Sequence, residues 1–108
     1  MSSDSPHKNQ NCFHTEVRDM SITHANFIRS MKPLKKYYDY IIDEKNMRII
    51  INDESRQVQL NLGPEKKRHL GSFWLPKVDV EFVFSNYNKS ELEIFWQRFE
   101  LSFRRGGG

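Results

Sequence analysis

The sequence predicts an α+β fold, a two-layer sandwich in which a curved antiparallel meander sheet packs on a long C-terminal amphipathic helix. Three observations carry this prediction. Short alternating segments joined by turn residues fill the chain from Tyr37 to Phe84. A helical stripe of aromatic residues follows them, and one strand-like and one helix-like segment precede them. Because short turns join antiparallel neighbours, the expected order is β-α-β(4-5)-α.

The first two elements follow from a change of period near Thr23. From Phe13 onward, "FHTEVRDM" alternates with a period of two, which predicts a strand. Ser21 and Thr23 are N-cap candidates for a short helix over residues 23–32, because their hydroxyls can accept from the backbone of the first turn. Pro33 ends this pattern, since proline cannot continue a helix interior.

The middle of the chain reads as consecutive strands. "YYDYIID" and "MRIII" flank "EKN", a predicted hairpin loop, and "RQVQLNL" alternates apolar with polar residues, as expected for a sheet with one face in water. "KKRHLGSFWL" is expected to form one further strand with Gly71 as a bulge. Pro76 is expected to separate that strand from "VDVEFVF", in which valine and phenylalanine share one face.

The last helix has signals at both ends. Ser90 and Glu93 fit a capping box, in which each side chain satisfies a free backbone donor of the first turn. Arg104 and Arg105 occupy the final turn, where cations oppose the negative end of the helix dipole, and Gly106 is expected to be the left-handed residue that ends the helix. The apolar stripe between these ends consists of Leu92, Phe95, Trp96, Phe99 and Phe103.

Length and composition predict one ordinary cytoplasmic domain. The 108 residues carry a formal charge of +3, with 37% hydrophobic and 13% aromatic residues, which suffices for one hydrophobic core. We expect a disordered N-terminal lead over residues 1–11, a single domain over 12–105 and a frayed glycine tail over 106–108. Cys12 is the only cysteine, and neither a signal peptide nor a membrane-spanning run is expected.

The sequence favours a protein that is not an enzyme and has no metal or cofactor. The four histidines and Cys12 do not form two close pairs with the spacing that zinc sites use. The carboxylate pairs, Asp79 with Glu81 and Asp39 with Asp43, fall on polar strand faces, where they stay solvated rather than tuned for acid–base chemistry. No glycine-rich phosphate loop occurs. We therefore expect no catalytic and no metal-binding residues.

Aromatic residues outside the expected core favour a binding or adaptor domain. Phe73 and Trp74 are adjacent in a strand and so point to opposite faces, which places one of them on the outer face. Exposed aromatic side chains are frequent anchors of protein interfaces. The first hypothesis is therefore recognition of another protein or of a second copy of the chain. The candidate interface residues are Phe73, Trp74, Tyr37 and Tyr38.

Clusters of basic residues support an alternative partner, RNA or DNA. If the clusters converge, they would form one cationic patch that contacts phosphates, with nearby aromatic rings stacking on bases. A second alternative is a small apolar ligand held between the sheet and the last helix. The candidate anion or nucleic-acid patch consists of Lys32, Lys35, Lys36, Lys66, Lys67, Arg68, Arg104 and Arg105.

Overall fold

The computed structural model describes residues 13–106, and the side chains of residues 13–104. It confirms the predicted α+β fold, in which six antiparallel strands form a sheet packed against the C-terminal helix. The predicted lead, Cys12, Gly107 and Gly108 lie outside the described residues. The elements are β1 (Phe13–Met20), α1 (His24–Ser30), a 3₁₀ helix (Lys32–Lys36), β2 (Asp39–Asp43), β3 (Arg48–Asp53), β4 (Arg56–Leu62), β5 (Lys66–Leu70), β6 (Phe73–Ser85) and α2 (Lys89–Gly106).

The order of strands differs from a simple meander. The main path runs β1-β6-β4-β3-β2, so that β2, β3 and β4 are consecutive neighbours while β1 lies beside the last strand. β5 lies off this path and pairs with β6. β6 therefore has two parts, because Phe73–Lys77 pair with β5 whereas Val78–Ser85 pair with β1.

The core lies between one face of the sheet and the helices. Alternate residues of β4 and β6 point toward α2, including Val58, Leu60 and Phe82, and each of these is fully buried. Phe95 and Phe99 of α2 pack onto this face, as the predicted aromatic stripe requires. The ring of Phe82 lies 4.7 Å from that of Trp96 and 5.1 Å from that of Phe99. Burial of these large apolar surfaces holds the two layers together.

The stretch predicted as one bulged strand is two strands. Gly71 does not form a bulge, because it lies in the turn between β5 and β6 with φ of +59°. Pro76 does not separate two strands either, since β6 runs through it without interruption and it pairs with Lys67. Proline is tolerated here because this part of β6 has a strand partner on one side only within the described chain.

The capping box of α2 lies two residues earlier than predicted. The helix begins at Lys89, and the backbone N–H of Glu91 donates to Asn88 Oδ1 (2.8 Å) while the N–H of Asn88 donates to Glu91 Oε1 (2.8 Å). Asn88 and Glu91 thus play the roles predicted for Ser90 and Glu93. Asparagine is as good an N-cap as serine, and Asn88 with Glu91 has the same capping-box spacing as Ser90 with Glu93. The chain turns at Asn86 (φ of 68°), so the helix begins directly after Asn88.

Alanine substitution distinguishes the two capping pairs. We expect Asn88→Ala to lower the free energy of unfolding by about 1 kcal/mol, because the backbone N–H of Glu91 loses its side-chain acceptor. Ser90→Ala, at an exposed position inside the first turn, is expected to change it by less than about 0.5 kcal/mol. Guanidinium unfolding of the two variants measures both values. An equal loss in both would contradict the observed cap.

The remaining helices also differ in detail from the predictions. α1 is shorter than residues 23–32, and Thr23 caps it by accepting from the N–H of Asn26 (3.1 Å). Pro33 lies inside the 3₁₀ helix that follows, where its missing N–H costs nothing in the first turn. Gly106 is the last residue of α2 rather than a residue beyond it. Within residues 13–106, no helix is both long and apolar enough to cross a membrane.

Candidate functional site

The β5–β6 hairpin, residues 66–77, leaves the layer that the helices cover. Within the part of the chain that the structure describes, these residues of the two strands pair only with each other, whereas the rest of β6 lies between β1 and β4. From Lys66 to Leu75, every residue except Arg68 is exposed, although alternate residues point to opposite faces of the hairpin. Both faces are therefore open to solvent near the tip.

Four large apolar side chains near the tip are exposed. The exposed fractions are 51% for Leu70, 71% for Phe73, 62% for Trp74 and 36% for Leu75. Single exposed apolar residues are normal, but a cluster of them on one element is typical of a contact surface. We call these four residues the tip cluster.

Trp74 is held in place without being buried. Its ring stacks on the ring of His69, with the centroids 4.4 Å apart and the planes at 10°. His69 and Trp74 are cross-strand partners, so the pairing register sets this contact. Because one side of the indole is already fixed, less rotamer freedom is lost when a partner covers the other side.

Ion pairs fix the base of the hairpin on the outer face of the sheet. Asp19 of β1 accepts from Arg68 of β5, and its other oxygen lies 3.8 Å from Lys77 Nζ. Lys77 Nζ also donates to Asp79 Oδ1 (2.8 Å), and this bond lowers the pKa of the Asp79 carboxyl. Surface pairs such as these contribute little energy each, but they set the direction in which the hairpin leaves the sheet.

The helix side of the base is fixed by hydrogen bonds to α1. The backbone N–H of His24 donates to Glu65 Oε2 (2.8 Å), and its ring Nε2 lies 2.7 Å from the carbonyl oxygen of Gly63. The N–H of Gly63 donates to the carbonyl oxygen of Asp79 (2.8 Å), and a Cβ at Gly63 would lie 3.1 Å from that oxygen. The segment entering β5 is thus held by both layers of the fold.

Two adjoining depressions lie where the hairpin meets the helices. One, of about 360 Å³, is lined by Lys66, Lys67, Trp74, Leu75 and Pro76 together with Thr23 and Glu65. The other, of about 420 Å³, lies beside the end of α2 and is lined by Met20, Ser21, Ile22, Asn26, Pro76, Phe103 and Arg104. Since both include Pro76, we call them together the Pro76 groove.

The predicted basic residues fall into two groups. Lys66, Lys67 and Arg104 line the Pro76 groove. Lys35 and Lys36 line a different depression, whose other residues include the acids Asp39, Asp53 and Glu54. Lys32 is exposed on the same 3₁₀ helix, and Arg68 is engaged by Asp19. The side chain of Arg105 lies outside the described part of the chain.

The two predicted tyrosines differ in burial. Tyr37 is 51% exposed at the end of the 3₁₀ helix, whereas Tyr38 is 4% exposed and belongs to the core. Arg98 links them, because its guanidinium lies 4.3 Å from the centre of the Tyr37 ring and donates to the Tyr38 hydroxyl (3.3 Å). Burial raises the pKa of Tyr38. Tyr38 therefore offers no surface to a partner, and Tyr37 lies on a different element from the tip cluster.

The space between sheet and helix is filled by rings. Phe84 and Phe95 are fully buried, with ring centres 5.2 Å apart, and Tyr87 is 7% exposed beside them. Packing of this kind leaves the centre of the interface to side chains rather than to a ligand. Among residues 13–106, no three histidine, cysteine, aspartate or glutamate side chains are grouped as metal ligands.

Sequence reasoning identified Phe73 and Trp74 but missed Leu70, Leu75 and Pro76 as their neighbours. It missed them because it interpreted β5 and the start of β6 as one strand. The signal was present in Gly71-Ser72, since glycine followed by serine between two strand-like runs is typical of a two-residue hairpin loop.

Comparisons of the chain with protein-family models, with curated proteins and with solved structures gave no match. The function is therefore inferred from the chemistry of the hairpin and its groove.

Proposed function

We propose that the chain is a binding domain that recognises another protein through the β5–β6 hairpin. The observation that carries this proposal is the tip cluster of Leu70, Phe73, Trp74 and Leu75, exposed on an element that other described residues hold through Glu65 and Arg68. Burial of apolar surface drives most protein association, and exposed aromatic residues such as Trp74 are typical anchors of an interface. A domain that needed these residues for its own core would not expose them.

The aliphatic members of the cluster favour a protein over other partners. Leu70 and Leu75 have neither a charge for phosphates nor a ring for stacking on bases, so their exposure fits an apolar contact. At the base, Arg68 and Lys77 already pair with Asp19, which reduces the local positive potential. The hairpin is thus apolar at its tip and only moderately basic at its base.

Photo-crosslinking tests this proposal. A photoreactive phenylalanine analogue at position 73 is expected to join the chain to a discrete second protein in its native cells. The matched control is position 41, because Ile41 is 65% exposed, close to the 71% of Phe73, and lies on β2 at the opposite edge of the sheet. Irradiation of the control should give no such product.

Two outcomes would count against the hairpin as the binding element. Equal products from positions 73 and 41 would show nonspecific collision, and no product from position 73 would show that the tip cluster has no protein partner. A product of twice the chain's mass would identify the partner as a second copy, which light scattering at several concentrations then checks.

Nucleic acid is the second candidate, favoured by Lys66 and Lys67 beside the exposed Trp74. Fluorescence anisotropy with mixed RNA and DNA at low salt measures it. Binding that weakens steeply with salt and disappears in Trp74→Ala would support this candidate, because phosphate contacts release counterions and stacking needs the indole. Absence of binding at low salt would exclude it.

A further inference from the structure

The free edge of β5 is one of two hairpin edges that a partner's backbone can reach. On the other, formed by residues 73–77 of β6, Pro76 has no N–H to donate, so β5 is the better template. Within the described residues β5 pairs with β6 alone, so its other edge carries backbone donors and acceptors without strand partners. Such an edge is a template for an additional strand. At five residues, β5 can accept only a short extended segment.

The charge of this edge selects its partner. β5 reads "KKRHL", and Lys66 and Lys67 are exposed and form no ion pair with the described residues. Arg68 is paired with Asp19, Glu65 accepts from the N–H of His24, and Lys66 helps to lower the pKa of the Asp79 carboxyl without forming an ion pair with it. Two cations beside an open edge therefore have no direct ion pair with a carboxylate of the described residues.

The same charge disfavours a second copy on this edge. Antiparallel pairing of β5 with β5 over its five residues would place Arg68 opposite Arg68 of the other chain and Lys67 opposite His69. Like charges opposite one another destabilise a sheet, and lysines on edge strands are a common barrier to self-pairing. An acidic segment reverses the sign of each of these contacts.

The Pro76 groove provides the complementary apolar contacts. It borders the hairpin on the helix side, where Pro76 lies between the depression lined by Trp74 and the one lined by Ile22 and Phe103. Side chains of an extended segment alternate between its two faces, so every second residue can reach this groove while the residues between them face away. Arg104 at the far end adds a third cation.

We infer that the hairpin binds an extended, acidic segment of a partner protein by strand addition to β5. Apolar residues at alternate positions of the segment enter the Pro76 groove, and the carboxylates between them lie on the other face with Lys66. Lys67 shares the groove face with its cross-strand partner Pro76 and attracts the negative charge of the segment as a whole. This inference rests on the proposed function and specifies the partner's chemistry.

Peptide selection followed by variant binding tests the inference. Random peptides of about twelve residues, displayed on phage, are selected on the full chain, and an enriched peptide is synthesised and titrated. Enriched sequences should alternate apolar residues with aspartate or glutamate.

The Lys66→Glu/Lys67→Glu variant should bind the peptide about tenfold more weakly or worse, because two attractions become repulsions. The matched variant Lys32→Glu/Lys35→Glu changes net charge equally at exposed positions on the 3₁₀ helix and should bind within about twofold of the original chain.

Hydrogen exchange provides a readout specific to strand addition. The backbone amides of residues 66–70 should exchange more slowly with the peptide bound, because the free edge of β5 gains hydrogen-bond partners. Slower exchange confined to α1 and α2 would contradict strand addition.

Three results would overturn the inference. These are no enrichment, enrichment of neutral or basic peptides, and an equal effect of the two charge variants. If crosslinking at position 73 still captures a protein in those cases, only the partner's chemistry is refuted and the hairpin remains the binding element. If no peptide is enriched and the Lys66→Glu/Lys67→Glu variant loses an oligonucleotide complex that the original chain forms, the edge of β5 binds nucleic acid instead.

Discussion

Phe82→Ala is expected to lower the free energy of unfolding by about 3–5 kcal/mol, a large share of the stability of a domain of this size. Phe82 is fully buried in the middle of β6, and its ring contacts Trp96 and Phe99 of α2. Its removal leaves a cavity between the two layers. Guanidinium unfolding followed by tryptophan fluorescence measures the change.

Two comparison variants make this prediction testable even if the alanine variant does not fold. Phe82→Leu keeps the position apolar and is expected to lose about 1–2 kcal/mol. Trp74→Ala removes an even larger aromatic side chain from the same strand, but one that is 62% exposed, and should change stability by less than about 1 kcal/mol. A loss at Trp74 equal to that at Phe82 would contradict the separation of hairpin and core.

Arg56→Ala is expected to lower the free energy of unfolding by about 2–3 kcal/mol. Arg56 is 22% exposed and joins two parts of the fold, since Nε donates to Asp53 (3.2 Å) and Nη1 donates to Glu91 (3.0 Å). The hydrogen bond to Asp53 raises the pKa of the guanidinium. Asp53 also accepts from the Tyr87 hydroxyl (3.0 Å), so removing Arg56 leaves a carboxylate that is 17% exposed without its cation.

The control for Arg56 is an arginine on the open face of the sheet. Arg48 is exposed and donates to Asn61 (3.3 Å), so Arg48→Ala should change stability by less than about 0.5 kcal/mol. Arg56→Lys should recover part of the loss, because an ammonium keeps the charge but cannot hold both acids with the same fork. Equal losses in Arg56→Ala and Arg48→Ala would contradict a structural role for the network.

Strong periodicity made the core predictable. Val78, Val80, Phe82 and Phe84 alternate without exception in sequence, and all four are fully buried. Phe95 and Phe99 recur at helical spacing and lie against that face. In both β6 and α2 the buried side chains recur with the period of the element, two in the strand and about 3.6 in the helix. The sequence pattern alone therefore identifies the buried residues.

The hairpin could not be fully predicted, because its residues do not pack on the core. Lys66 to Leu75 have neither a buried face nor a consistent alternation, so hydrophobic periodicity could not distinguish one strand from two, and only the turn residues Gly71 and Ser72 indicated the hairpin. The contacts of Asp19 with Arg68 and Lys77 join residues far apart in sequence. The pairing of β1 with β6 is likewise a long-range choice that no local pattern records.

The most direct test of the account combines crosslinking with stability in the same chain. In a chain that carries the photoreactive residue at position 73, Trp74→Ser should abolish the crosslinked product. The guanidinium midpoint should stay close to that of the original chain, because the tip cluster binds a partner and does not support the core. A crosslinked product that persists, or a midpoint that falls as far as in Phe82→Leu, would contradict it.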